Sequence, residues 1–210
     1  MRYERKYRIE GIPPEWVRQA ILLHPASFRT LHPDRRINNI YFDTSDLQAF
    51  YENVAGVPHR YKHRLRWYGE RMDRLEKATY EIKIKDGEMG GKEKQKIGTV
   101  DWSGLRDTFR EIPQLRYLPL RPVLVNYYHR SYLATPDERF RITIDHQLHF
   151  APFYWYRHPQ PFHFLPDHAV VMELKYERED DEAARRILSY LPFRQTKNSK
   201  YVTGINLIMG

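Results

Sequence analysis

Six segments of this chain alternate charged and apolar residues with a period of two, which restricts them to β-strands with one apolar face and one charged face. The charged positions are Arg2/Glu4/Lys6/Arg8, Arg60/Lys62/Arg64/Arg66, Glu81/Lys83/Lys85, Lys92/Lys94/Lys96, Arg139/Arg141/Asp145 and Glu173/Lys175/Glu177. The opposite positions hold Tyr7, Leu65, Trp67, Tyr80, Ile142 and Leu174 among others. Fifteen of the charged residues are basic and five acidic. A solvated face normally mixes both signs, and like charges opposite each other on paired strands are destabilising. Stacking these segments side by side therefore calls for an anion. If the sheet closes on itself with helices outside, the charged face becomes a lumen. A narrow basic lumen suits a linear polyanion, because a low dielectric strengthens each contact and arginine forks match phosphate oxygens.

The chain has 210 residues, the size of one domain, and positions 1–210 read as a single unit with no repeat or linker. A formal net charge of +8 favours anionic partners. The absence of cysteine excludes disulfides, thiolate metal sites and cysteine nucleophiles. MRYERKYRIE is too charged for a signal peptide, and no run of about 18 apolar residues follows, so a cytoplasmic protein without a transmembrane segment is expected.

Pro13-Pro14 opens a helix over 15–23, with Trp16, Ala20 and Leu23 on the stripe expected to pack on the sheet. A strand over 35–43 leads through Thr44-Ser45-Asp46 into a short helix closed by Gly56. Strands over 58–68, 78–86 and 92–98 form a meander with the Gly-rich turn Asp86–Gly91. A helix around 102–111 and a proline-punctuated link, 113–122, precede strands over 123–133, 139–147, 149–155 and 169–177. A helix over 179–191 and a short apolar helical tail complete the chain. The expected fold class is α+β: an antiparallel β-barrel tunnel of about eight strands with helices packed outside.

Glu4, Glu81 and Glu173 stand among the cations, where each either pairs with Lys or Arg or holds a divalent ion. Oxygen ligands favour Mg²⁺ or Mn²⁺. His63, His129, His146 and His149 lack the ligand clustering of a zinc site and read as solvated or hydrogen-bonded.

In order, Arg2-Tyr3-Glu4-Arg5-Lys6-Tyr7, Ile40-Tyr41-Phe42-Asp43-Thr44, Lys62-His63-Arg64-Leu65-Arg66-Trp67-Tyr68 and Tyr80-Glu81-Ile82-Lys83-Ile84-Lys85 are followed by four more segments. These are Tyr128-His129-Arg130, Arg139-Phe140-Arg141-Ile142-Thr143-Ile144-Asp145, Glu173-Leu174-Lys175 and Lys197-Asn198-Ser199-Lys200-Tyr201. Together they resemble the catalytic domain of the vacuolar transporter chaperone (VTC) polyphosphate polymerases, within the CYTH-like triphosphate tunnel superfamily. The resemblance implies a tunnel enzyme that transfers the terminal phosphate of ATP to polyphosphate with Mn²⁺ or Mg²⁺. It implies phosphate-ligand roles for Lys6, Arg64, Arg66, Lys83, Arg141 and Lys200, which make the catalytic set, and for Lys197 and Ser199. It also implies that Glu173 holds the metal, with Lys94 and Arg130 as further phosphate contacts. The charge pattern itself adds Arg60, Lys62, Lys85 and Lys175 as substrate-binding positions, and Glu81 and Glu4 as additional metal candidates. Asn198 replaces the aromatic residue usual at that point of the motif. The regulatory domain and membrane part of the eukaryotic relatives are not expected here.

ATP or another nucleoside triphosphate and polyphosphate are the expected partners. A triphosphatase hydrolysing tripolyphosphate or a nucleoside triphosphate, and a polyphosphate-binding domain without turnover, are the competing readings. Few inward carboxylates are available to orient a water molecule, which disfavours hydrolysis. Nucleic acid is not expected, because Trp67, Tyr80, Phe140 and Tyr176 lie opposite the basic positions instead of among them.

Overall fold

A computed structural model describes residues 2–87, 89–155 and 163–210. Glu88 of the Gly-rich turn and the side chain of Arg2 on the first basic face lie outside the described residues.

The elements are β1 (Arg2–Ile9), α1 (Pro14–Leu22), β2 (Arg29–Asp43), α2 (Gln48–Ala55), β3 (His59–Tyr68), β4 (Arg74–Asp86) and β5 (Met89–Asp101). A 3₁₀ turn at Trp102–Gly104 leads into α3 (Leu105–Glu111) and α4 (Pro113–Tyr117). Then follow β6 (Arg121–Ala134), β7 (Arg141–Pro152), β8 (Leu165–Asp167), β9 (Val170–Glu177), α5 (Asp181–Ser189) and α6 (Lys200–Met209). Hydrogen-bonded neighbours run β1-β9-β7-β6-β2-β3-β4-β5, with β8 on β7. The α+β class with an antiparallel sheet is as expected, but among the described residues no pairing joins β1 to β5, so the sheet does not close into the expected barrel. The strand count is nine where about eight were expected.

The chain divides into two compact units. The first comprises residues 1–35, 128–148 and 166–198. In it β9 pairs antiparallel with both β1 and β7. Its core joins Tyr7 and Ile9 of β1, Val17 and Ile21 of α1, and the inner residues of β7 and β9. Here the sequence reading of α1 needs correcting. Trp16 and Leu23 are 72% and 75% exposed, and Val17 and Ile21 are the fully buried pair. Both sets have helical spacing. The sheet selects the β-branched pair, whose burial contributes about 1.5–3 kcal/mol per side chain.

A second correction concerns 139–147 and 149–155, which are one strand, β7, instead of two. Gln147 takes a left-handed φ of 50° inside it, so the chain kinks without leaving the sheet. The three-residue β8 had no recognisable period, and the proline link contains α4, with Pro113 at its first turn.

The second unit comprises residues 36–127, 149–165 and 199–210. The β2, β3, β4 and β5 segments form its antiparallel meander. The meander's apolar side, with Leu65, Trp67 and Tyr80, packs on Trp102, Leu105 and Phe109. Gly87, at φ 56°, turns β4 into β5, and Gly56, at φ 75°, ends α2. Among the described residues no helix is long and apolar enough to cross a membrane.

Candidate functional site

The register of the meander sets the charge pattern directly. Arg60 lies opposite Lys85, Lys62 opposite Lys83, and Arg64 opposite Glu81. On the next strand Lys83 faces Lys92, Glu81 faces Lys94, and Thr79 faces Lys96. Lysines thus stand in a row across β3, β4 and β5. With Arg66, this one face carries nine cations and a single carboxylate, Glu81.

Glu81 is 3% exposed and anchors the row. Arg64 donates to it from Nε at 2.8 Å and from Nη2 at 2.6 Å. Lys92 donates to the other oxygen at 3.0 Å, and Arg66 stands 3.8 Å away. Burial alone would push the Glu81 carboxyl up; Arg64, Arg66 and Lys92 outweigh it and hold the group at about 2. Lys92 is displaced the other way. Burial first, and then Arg64 and Arg66, lower its ammonium from 10.5 to about 8 against the pull of Glu81. One carboxylate is therefore too little counter-charge for this face. Arg66 is buttressed by the buried amides of Asn39, at 2.9 Å, and, through it, Asn126, at 2.8 Å.

Lys83 and Lys85 are half-buried on the same face, and Lys94 is exposed. Lys62 donates to Ser199 Oγ at 3.0 Å. Ser199 is the N-cap of α6, where its oxygen also accepts from Val202 N–H, and Lys200 opens the helix. The second unit thus brings together Arg60, Lys62, Arg64, Arg66, Glu81, Lys83, Lys85, Ser199 and Lys200, with Lys94 at the outer edge. Lys94 is the position that the sequence pattern assigns to this site, yet Lys92 is the lysine that reaches Glu81. Asn39 and Asn126 were missed; an amide inside an otherwise apolar strand was the available signal.

The first unit holds a different arrangement. Glu4 faces Lys175 and Lys6 faces Glu173 across β1 and β9. Lys6 Nζ lies 3.4 Å from Glu4 and 3.5 Å from Glu173, and Lys175 Nζ lies 3.4 Å from each. The two carboxylates and two ammoniums form a closed ring. Burial works against the Lys6 charge, but Glu173 and Glu4 more than restore it and raise its pKa. Nearby on β7, Arg141 faces Lys175 in register, is about half exposed and pairs with Glu138 at 3.0 Å. Arg130 makes a buried two-pronged pair with Asp145, at 2.5 and 2.6 Å. Lys197 is exposed, on a segment tied to β1 by Thr196 N–H donating to the Lys6 carbonyl at 2.8 Å. Arg8 is spoken for structurally, gripping Asp167 with two bonds at 2.7 and 2.9 Å.

Among the described residues no group of three or more His, Asp or Glu converges as a metal cage. Glu4 and Glu173 nevertheless fit a hard divalent ion that takes its remaining ligands from phosphate oxygens, the usual mode for Mg²⁺. His63 is buried and hydrogen-bonded through Nδ1 to the Tyr80 hydroxyl at 2.7 Å.

A search of curated proteins finds no match in sequence. Solved structures do match in fold. HpAC1 from Hippeastrum, a candidate adenylyl cyclase described as having a dominant triphosphatase activity, superposes with a TM-score of 0.56 at 12% identity over 99% of this chain and 97% of its own. A candidate adenylate cyclase from Vibrio parahaemolyticus gives 0.55 at 11% identity over 96% and 97%. The PH1819 protein from Pyrococcus horikoshii OT3 gives 0.51 at 11% identity over 97% of both chains. This is the CYTH-like fold expected from the motifs. In sequence, the VTC domain model matches residues 1–209, nearly the full length, and the chain belongs to the VTC domain family.

Proposed function

We propose that this protein is a metal-dependent phosphotransferase that passes the terminal phosphoryl group of ATP to a polyphosphate chain. The observation that carries this reading is the meander face with nine cations around one buried carboxylate. Such a face is short of negative charge by several units, and phosphoryl oxygens supply it in the geometry that arginine forks and lysine points accept. Phosphoryl transfer needs little else from a protein, since positioning and charge neutralisation provide most of the rate and a phosphate oxygen is itself the nucleophile.

In this reading Arg64, Arg66, Lys83 and Lys200 hold the transferred and flanking phosphoryl groups. Arg60, Lys62, Lys85, Lys94 and Ser199 extend the binding surface. Arg64 and Lys92 hold both oxygens of Glu81 at 2.6 to 3.0 Å, so its part is to fix those cations; the divalent ion, Mn²⁺ or Mg²⁺, falls to Glu173 and Glu4, whose looser lysine contacts at 3.4 and 3.5 Å it would replace. When bound there, the ion neutralises charge on phosphate oxygens. In that unit Lys6, Lys175, Arg130 and Arg141 would each exchange a carboxylate partner for a phosphate oxygen, whereas Lys197 is exposed.

Hydrolysis is the second reading. It is favoured by the triphosphatase activity attributed to the Hippeastrum protein of like fold, and the Glu4/Glu173 pair offers carboxylates to orient water. Incubation with ATP and Mn²⁺, followed by gel electrophoresis of the products, separates the cases. Long polyphosphate, lost in Glu173→Gln, is the expected outcome. Free phosphate without polymer selects the triphosphatase, and tight polyphosphate binding without turnover selects a binding domain.

A further inference from the structure

Asp43 ends β2 with a fully buried carboxylate. One oxygen accepts from Thr44 N–H at 2.8 Å and Ala49 N–H at 2.9 Å, and the other from Phe50 N–H at 3.0 Å and from the Tyr201 hydroxyl. Ala49 and Phe50 belong to the first turn of α2, and Tyr201 to the first turn of α6. A single carboxylate therefore fixes the starts of two helices.

Both helices reach the same lysine. From α2, the Asn53 amide oxygen, in the orientation that its donors select, accepts from Lys62 Nζ at 2.6 Å and from Arg60 Nε at 3.1 Å. From the start of α6, Ser199 Oγ accepts from Lys62 Nζ at 3.0 Å. Tyr201 also stacks on Tyr41, with ring centroids 5.2 Å apart, and the Tyr41 hydroxyl accepts from Arg64 at 3.5 Å.

We propose that Asp43 and Tyr201 are positioning residues that hold Lys62 and Ser199 in place for a phosphoryl group. The inference rests on the phosphate-binding reading of those two residues given above. A lysine side chain carries substantial rotamer entropy, which a phosphate must otherwise remove on binding. Clamping Nζ between Asn53 and Ser199 removes it beforehand. The Ser199 oxygen accepts from both Lys62 and Val202, which leaves its O–H as a donor to an anion. Loosening α6 at Tyr201 releases this arrangement without touching any charge on the cationic face.

The test is calorimetric titration of the full chain with inorganic tripolyphosphate and Mg²⁺, using the wild type, Tyr201→Phe, Lys62→Ala and the double variant. Asn53→Ala, which leaves the buried Asp43 bonds intact, serves as a second probe of the clamp should Tyr201→Phe not fold. Tyr201→Phe is expected to bind about tenfold more weakly, the equivalent of one hydrogen bond to a charged group, while its melting transition stays cooperative. In the Lys62→Ala background the same change should cost clearly less than tenfold, the remainder being the part that acts through Ser199, because coupled residues are non-additive. Asn53→Ala should behave in the same way. Unchanged affinity in Tyr201→Phe, or an equal loss with and without Lys62, overturns the positioning role and leaves Asp43 a helix cap alone. A wild type that does not bind tripolyphosphate overturns the phosphate reading itself, and this inference with it.

Discussion

At the scale of single residues, Glu81 and its cations decide how this site responds to mutation and to pH. Arg64→Ala removes two bonds from a buried carboxylate, so we expect a loss of about 3 kcal/mol in unfolding free energy, within the range for breaking a buried ion pair. Adding Glu81→Gln to that variant should recover most of it, which chemical denaturation of the single and double variants will show. Acid acts on the same pair. The folded chain holds Glu81 near 2 against an ordinary 4.5, so its contribution to stability is complete above about pH 5 and is lost as the pH falls towards 2. Lys92 has the opposite sense. Its folded value near 8 lies below the ordinary 10.5, so the cation is present at neutral pH and disappears as the pH rises through 8. Tripolyphosphate affinity is expected to fall across that interval, well above the terminal phosphate's own ionisation near about pH 6. Lys92→Arg should flatten the profile, because a guanidinium stays charged. Measured stability should rise over about pH 8 to 10.5, where the folded chain sheds a proton that the unfolded chain keeps.

At the scale of elements, the strands were legible and the helices less so. A period of two determines the face of each residue once a strand is granted, and the register then placed Lys62 beside Lys83 and Lys83 beside Lys92, as the alternation of β3, β4 and β5 implied. The helix α1 could not be read so directly, since Trp16/Ala20/Leu23 and Val17/Ile21 both satisfy helical spacing and only the packing partner distinguishes them. Asp43 looked like part of a strand end preceding a Thr-Ser-Asp cap cluster; its own carboxylate does the capping, a fact visible only when α2 and α6 are seen to share it. The choice of Lys92 over Lys94 likewise depends on side-chain direction: Lys94 lies directly opposite Glu81 in the register, yet the diagonal neighbour Lys92 is the one that bends to its carboxylate. In α6, Gly204 is needed for close approach. A Cβ there would sit 2.5 Å from Phe150 and 2.6 Å from Leu124, both fully buried. Gly204→Ala should therefore cost about 1–3 kcal/mol by overpacking, despite the better helix propensity of alanine, and thermal unfolding will register it as a lower Tm.

At the scale of the whole molecule, a formal charge of +8 is consistent with an anion-handling protein, and each compact unit contributes its own charged constellation. The two differ in kind. The first unit balances Glu4 and Glu173 against Lys6 and Lys175, whereas the second concentrates cations around one carboxylate. The central claim is that the second of these faces binds linear phosphate. Calorimetric titration of tripolyphosphate into the wild type and into Lys62→Ala/Lys83→Ala measures this most directly, because the variant keeps Arg64 and Lys92, whose bonds hold Glu81. The account predicts clear binding by the wild type and a loss of about 100-fold or more in the double variant, from two charge-assisted bonds of about 1.5–3 kcal/mol each. Equal affinity in the two proteins would contradict it.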